Sequence, residues 1–342
     1  MNISKTVSGI TFDAESVERF IRLLEKESWS EEDVHAFVST RGVQYLIQQE
    51  KEWGPNFSEN AVKTFLNHVK RGDSGDFGGW ATAWKERTRT RKRLDHFLKR
   101  WNYMVVRPLS VVREYLPENV TGEGTCYFLP GGSRESYADS NGFALNLGHG
   151  PKKDVHWIFL IAREAHYFWT AHTWGDLSIT ACTTSSEFIE TFLNLTHRKG
   201  IATLAGLQAA GIEEQFFQEH PVNSDIMDTY SEAFNLALEE KAKSEADRIY
   251  EEVFSGYASP AALIGAAIAK RIAECEREVI PHFVNTMLLS TVTKRGFFLF
   301  FEIYRGCDIK LSLLPDVAWE AYEKVRKERN LTTVREGAIY FG

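Results

Sequence analysis

The sequence is poor in cysteine and in long apolar runs, and each shortage excludes a class of protein. Its four cysteines in 342 residues are far apart and form no CxxC pair. That pattern is typical of reduced thiols in a cytoplasmic protein and does not fit a disulfide framework. No apolar run reaches the length of a membrane span, and the N-terminus lacks the apolar core of a signal peptide. We therefore expect a cytoplasmic protein without a membrane partner.

Positive charge is also scarce over the whole chain. The formal net charge is −7, so no global positive field would attract nucleic acid, and we expect no nucleic-acid partner. One local exception is the stretch 85–100, KERTRTRKRLDHFLKR, which holds eight lysines and arginines. We favour a solvated helix face for this stretch, and contact with an anionic partner is the alternative.

Motifs that define several enzyme classes are missing. The sequence has no Gly-x-Ser-x-Gly, no Walker loop and no dinucleotide-binding Gly-x-Gly-x-x-Gly after a strand. It also has no internal repeat and no low-complexity segment. The motif-defined serine hydrolases, nucleoside triphosphatases and dinucleotide enzymes therefore receive no support.

What is present is a mostly helical pattern with a short β region. Residues 1–103 are predicted to be helical with a Gly-rich loop at 71–79, and residues 151–342 to be helical again. Between them, residues 104–150 are predicted to form a small sheet, with strand candidates at 104–107, 125–129 and 143–147. The sequence thus predicts an α+β fold that is mostly α-helical and forms one continuous globular unit.

Residues 161–172, Ile-Ala-Arg-Glu-Ala-His-Tyr-Phe-Trp-Thr-Ala-His, have the outline of a zinc-protease helix whose ligands are replaced. A zincin helix carries His-Glu-x-x-His, in which two histidines one turn apart bind the metal and the glutamate polarises water. Here Arg163 and Tyr167 stand at the ligand positions, and Glu164 stands at the base position. Further along, Lys199 opens the sequence Lys-Gly-Ile-Ala, where a gluzincin would have Glu-Gly-x-Ala with the glutamate as third ligand.

The order of these segments resembles the bacterial gluzincin-type Zn-dependent peptidase domains of unknown function. The chain shares two further segments with that pattern: Tyr127-Phe-Leu-Pro-Gly-Gly132 in the strand region, and Tyr257 followed by Gly265, Ala269 and Ile272. The resemblance implies a zincin-like fold with a small sheet beside the motif helix. It also implies that His166 packs beside the metal position and that the Tyr257 phenol lies near the cleft, where a phenol can stabilise an oxyanion.

No metal and no other cofactor are expected at these positions. Arg163 carries a permanent charge and no acceptor, and Tyr167 and Lys199 would each have to lose a proton to bind zinc. If the fold is retained, we expect Arg163, Lys199 and Glu164 to converge where zinc would lie. They would then form a salt-bridged cluster that is either structural or an anion pocket.

Three functions remain open. The first is a metal-free zincin-like protein without peptidase activity that binds a small molecule or peptide in the cleft. The second is a hydrolase-like enzyme in which Glu164 is the general base and Arg163 and Lys199 bind an anionic substrate, with an aromatic-lined cavity near Tyr167 and Trp169. The third is a metallopeptidase with relocated ligands, which requires at least three acidic or histidine side chains to meet at one point; the candidates are His149, His166 and His197.

Overall fold

Helices far outnumber strands in the computed structural model, which describes residues 4–51, 58–70, 84–279, 285–307 and 313–329. The α+β class predicted from the sequence is confirmed. The Gly-rich segment 71–79, expected as a loop, lies outside the described residues. Within those ranges no helix combines the length and the apolarity that crossing a membrane requires.

The chain divides into two units. The first consists of residues 1–114, 118–175 and 208–211, and the second of residues 115–117, 176–207 and 212–342.

A mixed sheet of five strands lies within the described residues of the first unit, in the order β1-β2-β3-β5-β4. Strands β2, β3 and β5 are parallel to one another, whereas β1 and β4 are antiparallel to their neighbours at the two edges. The predictions at 125–129 and 143–147 are confirmed by β3 and β5. The other three strands were not predicted. The bounds are Ser4–Val7 (β1), Ile10–Asp13 (β2), Gly124–Leu129 (β3), Ser136–Asp139 (β4) and Gly142–Asn146 (β5).

The helices of the first unit pack around this sheet. One apolar cluster combines residues of the first four helices with Leu129, Tyr137 and Ala144 from the strands. The helix α7, which carries the motif, contacts β4 and β5. The bounds are Glu15–Glu25 (α1), Glu31–Val38 (α2), Arg41–Lys51 (α3), Glu59–Lys70 (α4), Arg87–Lys99 (α5), Arg107–Arg113 (α6) and Asp154–Trp174 (α7).

The strand predicted at 104–107 is wrong. A π-helical turn, Asn102–Val106, leads directly into α6 at this point. The β-branched pair Val105-Val106 favours a strand locally, but the buried positions Met104, Leu109 and Val112 recur at helical rather than alternating spacing. Burial of one helical face therefore decides the conformation.

In the second unit the sequence forms a further set of helices. The buried Glu276 carboxylate accepts the backbone N–H groups of Thr286 (2.7 Å) and Met287 (3.2 Å), so it satisfies donors at the start of α13. The bounds are Ser185–Ala210 (α8, which begins in this unit), Glu213–Glu219 (α9), Ser224–Leu238 (α10), Ala246–Ile249 (α11), Pro260–Val279 (α12), Thr286–Thr291 (α13), Phe297–Cys307 (α14) and Asp316–Glu328 (α15).

Helices α8 and α12 touch through their backbones at two glycines. A Cβ atom added to Gly200 would lie 2.3 Å from the carbonyl carbon of Gly265. One added to Gly265 would lie 2.2 Å from the carbonyl oxygen of Thr196. Only glycine fits at either position, so the glycines of the two motif segments are packing residues of the second unit.

Replacing Gly265 by alanine is expected to destabilise the protein by about 1–3 kcal/mol, because the added methyl group meets backbone atoms that cannot rotate away. Urea unfolding followed by circular dichroism measures the change. Gly306→Ala in α14 is the matched control, since a Cβ there meets nothing within 4 Å. An unchanged stability for Gly265→Ala would contradict the close approach of the two helices.

Candidate functional site

The motif helix α7 is buried on almost every side. Between residues 157 and 171, only Arg163 and Tyr167 are not buried. These two positions are one helical turn apart and lie on the same face. The two positions that would hold zinc ligands in the zincin pattern are therefore the two partly exposed positions of the stretch 157–171.

The helix α8 shows the same pattern within the second unit. Between residues 192 and 207, only Lys199 is not buried. This is the position at which the gluzincin pattern has its third ligand. Each of these three positions thus interrupts a run of buried residues, and each carries a long side chain with a polar end.

Glu164 lies beside this opening and is held by two neighbours. Its Oε1 atom accepts hydrogen bonds from Ser136 Oγ (2.8 Å), Arg163 Nε (2.8 Å) and Arg163 Nη2. The same Nη2 atom also donates to Ser136 Oγ (3.1 Å), and the guanidinium carbon lies 5.3 Å from the centre of the Phe159 ring. The glutamate is only 7% exposed, so the guanidinium supplies the opposite charge that a buried carboxylate needs.

Ser136, which belongs to the edge strand β4, is a residue of the site that the sequence pattern did not predict. The side chains of a strand alternate between its faces, so Ser136 points towards α7 while Tyr137 points to the opposite face of the sheet. The signal was present in the four residues Ser-Tyr-Ala-Asp ahead of the Ser-Asn-Gly turn, since a strand on both sides of such a turn makes a hairpin.

A second buried carboxylate lies on the opposite face of β4. Glu50, 6% exposed, accepts hydrogen bonds at Oε1 from Ser133 N (2.8 Å), Ser133 Oγ (2.6 Å) and the Tyr137 hydroxyl. Burial, and secondly the charge of Glu50, raise the pKa of Tyr137 far above its usual range. The phenol therefore stays protonated and acts as a fixed donor to the carboxylate.

The loop between β3 and β4 is fixed by the buried Asn146. Its amide nitrogen donates to the carbonyls of Gly132 and Arg134 (both 3.0 Å), and its Oδ1 accepts from Gly148 N (3.0 Å) and His149 N (3.1 Å). Gly132 has φ +133°, a backbone conformation that residues other than glycine rarely adopt. Asn146 and Glu50 together hold the loop that leads into β4, and so they position Ser136.

The remaining predicted residues of the site have different surroundings. His166 is buried on α7, and the buried Trp169 donates from Nε1 to the Gly122 carbonyl (3.3 Å) beneath the guanidinium of Arg113. Tyr257, in the second unit, is 41% exposed and lies near the rings of Phe216 and His220. Trp169 thus packs in the interior of the first unit, while Tyr257 lies at the surface of the second.

The histidines considered as relocated metal ligands have other partners. The exposed His149 donates its backbone N–H to Asn146, and His197 is buried with Nε2 3.0 Å from Thr291 Oγ1. Within the described ranges, no group of three histidine, cysteine, aspartate or glutamate side chains is arranged to hold a metal ion.

Comparison of the chain with protein-family models, with curated proteins and with solved structures finds no match.

The Arg163–Glu164 pair is expected to show a coupling free energy of about 1–3 kcal/mol in a double-mutant cycle with Arg163→Met and Glu164→Gln. Arg163→Met alone should destabilise more than the double variant, because it leaves a buried carboxylate without its counter-charge. Urea unfolding measures all three variants.

A matched cycle on Glu59 and Lys63, a half-exposed pair one turn apart on α4, controls for ordinary surface attraction. It should give a coupling below about 0.5 kcal/mol. Equal coupling in the two cycles would show that burial adds nothing to the Arg163–Glu164 pair.

Proposed function

We propose that this protein is a metal-free zincin-like protein that binds an extended peptide without cleaving it. The observation that carries the proposal is the pattern of openings: positions 163, 167 and 199 are the breaks in two otherwise buried helical segments. They are also the three positions at which a gluzincin would carry its zinc ligands. The replacements Arg, Tyr and Lys retain the polarity of these positions but remove the ordinary zinc ligands.

The sheet supports the same proposal. A zincin-like fold is expected to place a small sheet beside the motif helix, and α7 contacts β4 and β5. Strand β4 is an antiparallel edge strand, and its Ser136 side chain reaches Glu164 on that helix. The partly exposed residues Arg163 and Tyr167 are therefore on the helix that packs against the edge strand β4.

The edge of β4 offers backbone groups to a peptide. Asn146 N donates to Glu135 O (2.9 Å), so residues 135 and 146 face each other as a hydrogen-bonded pair. Since such pairs alternate along an antiparallel ladder, the backbone groups of Ser136 and Ala138 point away from β5. Extended peptides bind strand edges through such groups.

The enzymatic alternative requires this arrangement to open. Arg163 donates two hydrogen bonds to Glu164 and one to Ser136, so the guanidinium is engaged within the protein. For Glu164 to act as a base and Arg163 to hold an anionic substrate, both side chains would have to exchange these bonds for new ones. The present geometry therefore supports binding better than it supports turnover.

Restoring the ligand pattern tests the zincin-like proposal directly. The double variant Arg163→His/Tyr167→His places two histidines one turn apart on α7 and is expected to bind zinc, whereas the wild-type protein purified without chelator should contain no stoichiometric zinc. Elemental analysis measures the bound metal, and circular dichroism shows whether each variant is folded.

The control differs from the double variant by one ligand, with Tyr167→Gln in place of Tyr167→His, and it should bind zinc more weakly. Stoichiometric zinc in the wild-type protein would contradict the metal-free proposal. A folded double variant that binds no better than this control would contradict the use of positions 163 and 167 as a ligand pair.

Peptide binding is expected to depend on the outward N–H of Ala138. Ala138→Pro removes that donor and keeps the bonds to β5, so it should weaken peptide binding by roughly tenfold or more. A panel of short fluorescent peptides of different charge, followed by anisotropy, measures the affinity, and mass spectrometry checks that the peptides stay intact. Ala138→Ser, which keeps the N–H, should bind as the wild type does. Equal affinity of the proline and serine variants would exclude pairing at this edge.

A further inference from the structure

A pocket of about 480 Å³ lies in the first unit, between α5 and the segment that enters α7. Its size is that of an ordinary small-molecule site. Neither Arg163 nor Glu164 lines it, so it is separate from the site described above. The lining residues are Arg89, Lys92, Arg93, His96, Phe97, Pro151, Lys152, Asp154 and Trp157.

The pocket is strongly basic although the whole chain is acidic. Four of its lining residues are lysine or arginine, and one more is histidine, against the single carboxylate of Asp154. That carboxylate is already engaged, since Oδ1 lies 2.9 Å from His96 Nε2 and Oδ2 accepts from Arg100 Nη1. Asp154 also occupies the first turn of α7. The excess positive charge in the pocket is therefore not cancelled from within.

Two of the basic side chains are left for a ligand. Arg89 is paired with Glu86, and Arg93 donates to the carbonyls of Leu147 and Gly150. In contrast, none of the ion pairs among the described residues includes Lys92 or Lys152, and both lysines are exposed. Their two ammonium groups come from different segments, one on α5 and one ahead of α7.

The walls between these lysines are rigid. Phe97 and Trp157 are buried and meet edge to face, with ring centres 5.3 Å apart. Gly150 packs so tightly on Trp157 that an added Cβ would lie 1.9 Å from the ring. Arg93 also links α5 to two carbonyls of the turn between β5 and α7, so the pocket is formed before any ligand binds.

We propose that this pocket binds the phosphate groups of a small molecule that carries at least two negative charges. Lys92 and Lys152 would hold the phosphate oxygens, and Arg89 and Arg93 would add to the positive potential. Lysine binds phosphate as a point charge and needs no fixed angle, which suits two exposed ammonium groups.

The surroundings favour a small ligand over a nucleic acid. Two arginines of the basic stretch that do not line the pocket are paired with acids of other segments, Arg91 with Glu25 (2.6 Å) and Arg100 with Asp154. The net charge of −7 adds a repulsive background for a long polyanion. The pocket therefore concentrates four basic residues in one concave site, which suits a small phosphate compound.

Titration calorimetry with pyrophosphate tests the proposal on the full chain. One saturable site is expected, with an affinity that falls as the salt concentration rises. The variant Lys92→Ala/Lys152→Ala should bind roughly tenfold more weakly or worse, since it removes two charged donors. The control Lys99→Ala/Lys153→Ala removes the same charge from exposed lysines of the same two segments that do not line the pocket, and it should stay within about twofold of the wild type.

A parallel titration separates two sources of the phosphate. Vesicles with a doubly phosphorylated lipid headgroup, added after pyrophosphate, show whether the pocket accepts a lipid-borne phosphate as well as a soluble one. Binding of either titrant that depends on Lys92 and Lys152 supports the proposal.

Three results would overturn it. The first is the absence both of saturable pyrophosphate binding up to about 1 mM, the range of the weakest specific complexes, and of vesicle binding that depends on Lys92 and Lys152. The second is equal weakening in the two double variants, which would reduce the effect to overall charge. The third is binding of single-stranded oligonucleotides that strengthens with length and that pyrophosphate does not displace, which would make the basic helix a nucleic-acid surface.

Discussion

The burial of helix α7 is the constraint on which the first unit depends. A helix that is covered on nearly all sides must be apolar wherever it has no polar partner, because an unpaired charge inside a protein is costly. Glu164 meets this condition only because the neighbouring Arg163 and, from the sheet, Ser136 both donate hydrogen bonds to its carboxylate. The Arg163–Glu164 pair therefore makes a buried carboxylate tolerable on α7, and strand β4 supplies a further hydrogen bond through Ser136.

Strand β4 donates hydrogen bonds to two buried carboxylates. Its alternating side chains send Ser136 to Glu164 on one face and Tyr137 to Glu50 on the other. The strand is short and at an edge, so its own pairing with β5 gives limited stability. Polar groups on both faces, together with Asn146 behind the loop, fix its position. A displacement of β4 by one residue would exchange the two faces and leave both carboxylates without their hydroxyl donors.

The sequence predicted those parts of the fold in which local pattern and tertiary packing agree. The motif helix, β3 and β5 were found because apolar runs bounded by turn residues have few alternative conformations. Strands β1 and β2 were missed because four residues carry little pattern, and β2 pairs with β3 more than a hundred positions later in the sequence. The strand at 104–107 failed because the preference of two valines was weaker than the burial of a helical face.

For the site, the sequence identified which positions are unusual but not which atoms they meet. The zincin-like pattern selected Arg163, Glu164 and Tyr167 from spacing alone, and Arg163 and Glu164 do form a pair. Ser136 could not be found in the same way, since hydroxyls are frequent and their partners depend on the register of the sheet. The position of Lys199 against the motif helix remains a prediction from the family resemblance.

The residue types at positions 163, 167 and 199 bear on whether these positions serve only to fill space. If these positions served only to fill space, apolar side chains would be the more stable choice, since a buried ion pair often contributes less than well-packed hydrophobic residues of the same volume. Arg163, Tyr167 and Lys199 are instead partly exposed residues with polar ends, each within an otherwise buried helical stretch. Apolar side chains at 163 and 167 would make the surface of α7 beside β4 uniformly apolar, whereas Arg163 and Tyr167 keep it polar. This polarity is the reason for placing the proposed peptide beside α7 rather than at the other edge of the sheet.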